Sequence, residues 1–398
     1  MTESLYSIEG VVQHYAWGGT EFLPELLHRP NPSAQPWAEY WMGAHAKGPA
    51  TVAPRGGSLA ELISRGPAQT LGAAVANRFA DRLPFLFKVL DVKEMLSIQV
   101  HPTKAAAEEG FAREEASGPE RSAPDRNYRD DNHKPELGVA VTDFYLLHGF
   151  RSAAEIAATL DEVPGWAELR APFERGGVAE LYAHVMRAEQ SEIDRLLGPL
   201  ADSLATGEFD RSQPAFWARR AVEQYTRDGH HDRGMFSIYW FNLVHLTPGQ
   251  GIFQDAGIPH AYLEGVCIEL MANSDNVLRG GLTPKHIDVP ELLDKTRFAA
   301  VTPERLRPVT ATAGWERYPI PAPDFALWRA RPDGGTTIEL PAEERPSILL
   351  LLSGEVDLGG TDVTLRETAR TAFVPAGQSV TLAAQVDSIV YRATVGDL

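Results

Sequence analysis

The chain has 398 residues, too many for one typical core, so two or three packed units are expected. A hydrophobic fraction of 43% and a charged fraction of 23% are those of a soluble globular chain, and argue against disorder and against a membrane protein. A formal net charge of −17 argues against nucleic acid as a partner, because phosphate-backbone binding needs a basic face. The lone cysteine, Cys267, rules out an internal disulfide framework and fits a reducing compartment; in its apolar run it reads as a small buried hydrophobe. The first residues lack a basic stretch followed by an apolar one, and no later apolar run reaches membrane-spanning length, so a cytoplasmic location is expected.

Residues 5–150 read mainly as strands and connections, with short apolar runs at 83–90 and 144–148. Residues 110–131 are charged and poor in large apolar side chains, which predicts a surface loop or lid that moves without ligand. From 151 to 230 helical spacing takes over. Ser152 and Glu155 make a capping box, and Leu181, Val185, Ile193, Leu196, Leu197 and Leu200 recur at helical intervals. Phe216, Trp217 and Tyr225 read as helix core rather than as a stacking platform. Strand character returns over 236–246, ahead of the turn-forming Thr-Pro-Gly-Gln-Gly at 247–251. Asp288, Pro290 and Glu291 open a short helix running to about Arg297.

Short strands at 348–352, 363–365 and 379–382 then predict a second β-sandwich or jelly-roll unit. No histidine follows His286, so this unit lacks the usual imidazole ligands for a second metal and reads as structural. The expected class is mainly β with a helical insertion. Residues 1–150 with 232–308 form one β unit, 151–231 the helical insertion, and 309–398 the C-terminal β unit.

Three segments concentrate polar chemistry. In Ser-Ile-Gln-Val-His-Pro at 97–102, extended geometry sends Ser97, Gln99 and His101 to one face and Ile98 and Val100 to the other. In Asn-His-Lys-Pro-Glu at 132–136, Pro135 forces extended backbone before it and puts Lys134 and Glu136 on the same side. In Pro-His-Ala-Tyr at 259–262, His260 and Tyr262 share a side after a sharp turn. Together they offer imidazole, carboxamide and carboxylate, a mixed nitrogen and oxygen metal site. Lys134 falls in the second of these segments and Lys88, Lys93 and Lys285 in the motif-bearing stretches flanking the first and third, whereas no lysine follows Lys295, so cations are gathered where an anionic ligand would need them.

These residues resemble type I phosphomannose isomerases. The likeness is carried by Gln99-Val-His101-Pro, Asn132-His-Lys-Pro-Glu136, and Pro259-His-Ala-Tyr-Leu-Glu-Gly265 continuing through Asn273-Ser-Asp-Asn-Val-Leu-Arg279-Gly-Gly-Leu-Thr-Pro-Lys285. Tyr15-Ala-Trp-Gly18, Ala38-Glu-Tyr-Trp-Met-Gly43 and the run at 83–90 add to it, in order, over residues 10 to 300. The chain departs from the pattern at Val100 and Thr103, where the family commonly carries Ala and Asp, and over 252–257.

The resemblance implies a cupin-type catalytic core, a cupin-like C-terminal domain, and one zinc ion per chain held by Gln99, His101, Glu136 and His260. It implies that Arg279 is the catalytic arginine and that the reaction interconverts mannose 6-phosphate and fructose 6-phosphate through an enediol. Glu269, His133 and Lys134 remain open as the proton carrier. Lys88, Ser97, Tyr262 and Lys285 are candidate substrate contacts, with Arg129 and Arg151 as competitors for the phosphate. The expected partner is a small sugar phosphate, and the chain is expected to act as a monomer. Rival readings are a non-catalytic sugar-binding cupin and another cupin metalloenzyme such as an iron dioxygenase. The latter usually offers two histidines, one carboxylate and several open positions, where Gln99 here adds a fourth donor.

Overall fold

A computed structural model describes residues 5–54, 56–312 and 314–397. Among these the strands gather into three sheets, of ten, eight and four strands. The ten-stranded sheet is organised by one long strand, His260–Ala272. Its second half pairs with Phe85–Val92 on one side and Glu136–Ala140 on the other. Its first half pairs with Gln99–Val100 and Phe144–Phe150. One strand can serve both sides of a jelly-roll core because it bends at a bulge between Tyr262 and Glu264 and at Gly265, whose φ is 118°. A side chain at Gly265 would place Cβ 2.3 Å from the Asp143 carbonyl oxygen, so only glycine fits. Gly265→Ala is expected to cost about 3 kcal/mol or more, read as a lower denaturant midpoint; an unchanged midpoint would remove the bend's dependence on glycine.

The eight-stranded sheet lies between two cores. In Ser347–Ser353, Ile348 and Leu350 face the ten-stranded sheet, while Leu349 and Leu351 face the four-stranded sheet. This strict alternation is what the apolar run at 348–352 required of a strand buried on both faces. Two of the eight strands, Tyr6–Glu9 and Thr51–Ala53, come from the N-terminal stretch, with Ile8 opposite Thr371 and Val52. The C-terminal sheet is thus completed by residues far away in sequence.

The helical insertion follows its spacing. Ser152 and Glu155 form a full capping box on the helix Ala153–Glu162, and Leu181, Val185, Ile193, Leu196, Leu197 and Leu200 share one core with Trp217. Asp288 accepts from the Glu291 N–H and caps Val289–Lys295. Two expectations are corrected. Residues 235–240 form the helix Met235–Trp240 rather than a strand, and the strand begins at Phe241. Phe236, Ile238 and Trp240 are buried in the core of the helical insertion, where Phe236 and Trp240 stack at 5.3 Å, and this burial overrides their strand preference.

The second correction concerns residues 110–131. They begin inside the helix Lys104–Ser117, capped by Thr103, and continue as a pinned segment rather than a mobile lid. Buried Arg126 donates to the carbonyls of Tyr128, Glu114 and Pro119 at 2.7, 3.0 and 2.7 Å, and the Tyr128 hydroxyl donates to Glu291 at 2.5 Å. The N-terminal stretch also carries the short helices Leu59–Arg65, Pro67–Leu71 and Ala73–Arg78 between its strands. Among the described residues no helix is long and apolar enough to cross a membrane.

Candidate metal centre and its cavity

The three polar segments meet at one end of the jelly-roll. His101, Glu136 and His260 are buried, and their ligand atoms lie within 4.8 Å of one another. Glu136 reaches both rings: Oε1 is 3.3 Å from His101 Nε2, and Oε2 is 3.3 Å from His260 Nε2. Each ring is turned by its other nitrogen. His101 Nδ1 donates to the Asn276 carbonyl at 2.8 Å, and His260 Nδ1 to the Ile258 carbonyl at 2.9 Å. A carbonyl only accepts, so Nδ1 carries the hydrogen and Nε2 keeps its lone pair for a metal. His101 Nε2 is fully buried and has no hydrogen-bond partner among the described residues, an orphaned atom that a metal ion would satisfy. Burial, eased by Glu136, lowers the His101 pKa to about 4, which keeps the ring neutral near pH 7.

Gln99 joins the same face. It stands opposite His260 on one side and Arg279 on the other in the antiparallel ladder, and directly opposed residues project together. Ile98 and Val100 point instead into the core of the helical insertion. Lys134 Nζ sits 2.9 Å from Glu136 Oε1. Burial opposes ionisation of Glu136, but the Lys134 ammonium beside it outweighs burial and holds the carboxyl well below its usual range. Two neutral imidazoles, an amide and one carboxylate suit a divalent ion and leave it net positive charge.

A cavity of about 810 Å³ opens above this cluster, lined in part by Ser97, Gln99, Lys134, Arg129, Arg279 and Lys285. Three of its cationic lining residues, Arg129, Arg279 and Lys285, push on one another. Burial and then Arg129 lower the Arg279 pKa, and burial, Arg279 and Arg129 lower that of Lys285. The Arg129 guanidinium donates to the carbonyls of Arg121 and Ala123, and among the described residues it has no carboxylate partner and the buried Arg279 Nε has no hydrogen-bond partner. Such a cluster is costly when empty and suits a phosphate dianion.

Comparison with known proteins agrees with this geometry. The family model "Phosphomannose isomerase type I, catalytic domain" matches residues 5–153. Mannose-6-phosphate isomerase of Escherichia coli is 41% identical, over 92% of this chain and 94% of its own. The mouse enzyme is 34% identical over 98% of both chains. The chain belongs to the type I phosphomannose isomerase family. A Salmonella typhimurium mannose 6-phosphate isomerase solved with fructose 6-phosphate and zinc superposes at a TM-score of 0.89, 36% identity, over 99% of this chain and 100% of that one.

Within this phosphomannose isomerase fold, not every residue singled out from the sequence reaches the cavity. Ser97, Gln99, Lys134, Arg279 and Lys285 line it, as does Arg129. His133 does not. It alternates away from Lys134, bonds Asp324 Oδ2 at 2.8 Å, and lines a separate cavity of about 370 Å³. The Tyr262 side chain also turns away, packing edge-on to Phe144 at 5.1 Å in an apolar cluster with Leu146 and Cys267. Arg151 lies in a third cavity beside the helical insertion.

Lys88 is buried between two carboxylates, 2.9 Å from Glu269 and 3.4 Å from Glu39, with Trp41 at 5.4 Å. Burial opposes its charge, but the carboxylates win and raise its pKa. It is therefore already engaged rather than free for a phosphate. Glu269 faces inward opposite Lys88, as the alternation with Ile268 and Leu270 requires. Burial first, and then Glu136, raise its pKa despite Lys88.

Asn276 is the residue whose importance the sequence hid. Fully buried, it accepts from the Arg129 N–H at 2.7 Å and donates to the Asp130 and Asn132 carbonyls at 2.7 and 2.9 Å. Its own carbonyl orients His101, so one side chain and its backbone tie Arg129 to a candidate metal ligand. Beside it, Asp275 lines the cavity paired with Lys47 at 2.8 Å. The signal was present in Ser-Asp-Asn at 274–276, residue types that bond neighbouring backbone at the end of a strand.

Proposed function

We propose that the chain is a zinc-dependent aldose–ketose isomerase interconverting mannose 6-phosphate and fructose 6-phosphate. One observation carries this reading: two imidazoles with free Nε2 atoms and one ionised carboxylate converge beneath a cavity whose wall bears Arg129, Arg279 and Lys285. His101, Glu136, His260 and Gln99 would hold the zinc. When bound, zinc supplies Lewis acidity toward a sugar carbonyl or hydroxyl oxygen.

The chain's own residues supply the rest. Lys285 and Arg129 take the phosphate, with Ser97 as a neutral donor on the same wall. Arg279, on the ligand-bearing ladder, faces the negative charge that develops as the C2 proton leaves. Lys134 lies on the cavity wall 2.9 Å from Glu136, and we assign it the proton that passes between C2 and C1: the unprotonated amine accepts it from C2 at Nζ, and the ammonium so formed delivers it to C1. Glu269, behind Lys88, keeps that ammonium in place. In the proposed division of labour, 1–150 with 232–308 carries the site, 151–231 covers one side, and 309–398 supports the sheet from behind.

The test is conversion of mannose 6-phosphate to fructose 6-phosphate by the purified chain. Activity should vanish on chelation and return with added zinc. Full turnover in excess chelator, with metal analysis confirming loss of the ion, would contradict the reading.

A further inference from the structure

Arg279 and Lys285 reach the cavity by different means. Arg279 lies in the strand Leu278–Arg279 and is fixed by pairing with Gln99. Lys285 lies beyond a turn, Gly-Gly-Leu-Thr-Pro at 280–284, in which Leu282 has a φ of 52°. That left-handed conformation is unfavourable for leucine and persists only where surrounding structure imposes it. What imposes it is Asp232. Its Oδ1 accepts from the N–H of Leu282 at 2.7 Å and of Gly234 at 2.7 Å, and its Oδ2 accepts from the N–H of Thr283 at 3.1 Å. The turn then passes the chain to Lys285, whose N–H donates to Thr283 Oγ1 at 3.1 Å.

The contact is backbone against backbone. A side chain at Gly281, where φ is 116°, would put Cβ 2.4 Å from the Gly234 Cα. Asp232 follows directly on the helical insertion, and Gly234 precedes Met235–Trp240, of which Met235, Phe236, Ile238 and Trp240 are buried in a core shared between the insertion's helices and the adjoining strands. The insertion is therefore the anchor, and a carboxylate collecting three backbone N–H groups is the clamp. Sequence spacing concealed it, since Asp232 and Leu282 are far apart in the chain.

We propose that Asp232 is a positioning residue for phosphate recognition, clamping the 280–284 turn so that Lys285 is held at a fixed distance from Arg279. This rests on reading the cavity as a sugar-phosphate site. It gives the helical insertion a function in the reaction: it sets where the phosphate sits. Because Arg279 is held separately by its strand, loosening the clamp weakens phosphate binding far more than turnover.

Two variants test this. Asp232→Asn keeps the size but turns an NH₂ group against a backbone N–H. Gly234→Ala leaves Asp232 intact and has an acceptable backbone, with φ of −62°, but its Cβ would come within 2.5 Å of the Leu282 nitrogen and displace the turn. Steady-state kinetics of the zinc-loaded proteins on mannose 6-phosphate, with inorganic phosphate as competitor, provide the readout. In both variants KM and the phosphate inhibition constant should rise together by about tenfold or more, with kcat within about threefold and zinc content unchanged. Folded variants with unchanged KM and inhibition constant would overturn the proposal. So would a fall in kcat alone, or recovery of both variants only as unfolded protein. If inorganic phosphate fails to compete even with the unmodified chain, the sugar-phosphate reading itself fails, and the clamp with it.

Discussion

His101→Ala is expected to lose zinc and activity together. The ring is fully buried, its Nδ1 is committed to the Asn276 carbonyl, and its Nε2 has no hydrogen-bond partner among the described residues, so the substitution removes a donor atom with no other engagement. A four-donor zinc site distributes its binding energy at about 3 kcal/mol per ligand, so the loss weakens zinc binding by about 100-fold or more. What remains, Glu136 with Lys134 at 2.9 Å and His260, favours the internal ion pair over the metal. Elemental analysis after dialysis against limiting zinc gives the first readout and the isomerisation rate the second. Full zinc occupancy without activity would assign His101 a role other than ligand.

Arg279→Ala should behave in the opposite way, keeping zinc while losing turnover. Its strand partner Gln99 keeps its ladder bonds, since those use backbone groups, and Glu136 and His260 lie on other strands. What disappears is a guanidinium that lines the cavity and whose buried Nε has no hydrogen-bond partner among the described residues. Burial and Arg129 lower its pKa, but a guanidinium remains charged throughout the physiological range. Removing such a fixed donor typically costs about 100- to 1,000-fold in kcat, about 3–4 kcal/mol of transition-state stabilisation. Arg279→Lys should recover only part of it, since an ammonium lacks the planar fork. Near-normal kcat in Arg279→Ala, at saturating substrate and full zinc, would move the catalytic charge to Arg129 or Lys285.

The difference between these two variants reflects what a sequence can convey. Alternation of side chains is local, so spacing alone assigns faces to Gln99 and His101, to Lys134 and Glu136, and to Glu269 between Ile268 and Leu270. The capping box at Ser152 is legible for the same reason, because its two partners lie three residues apart. Alternation says which side a residue takes but not what lies there. His133 and Tyr262 each take a predictable face, yet the first meets Asp324 and the second an apolar cluster.

Contacts through backbone N–H groups leave even less trace. Asn276 and Asp232 act on peptide groups, which have no residue identity, so no pairing pattern announces them. The helix Met235–Trp240 was hidden by its aromatic and β-branched composition, which a buried helix and a buried strand share. The pairing of Tyr6–Glu9 with Thr371–Val374 joins the two ends of the chain, and no periodicity within either strand signals it.

In the proposed reaction one proton moves between C2 and C1 within a zinc-dependent site. The direct measurement is solvent deuterium incorporation at C2 of mannose 6-phosphate, or C1 of fructose 6-phosphate, followed by NMR with the zinc-loaded chain. The account predicts exchange that accompanies isomerisation, stops on chelation and resumes with zinc. Binding of the sugar phosphate with neither isomerisation nor exchange under any divalent metal would contradict it, and leave a sugar-binding protein on a catalytic scaffold.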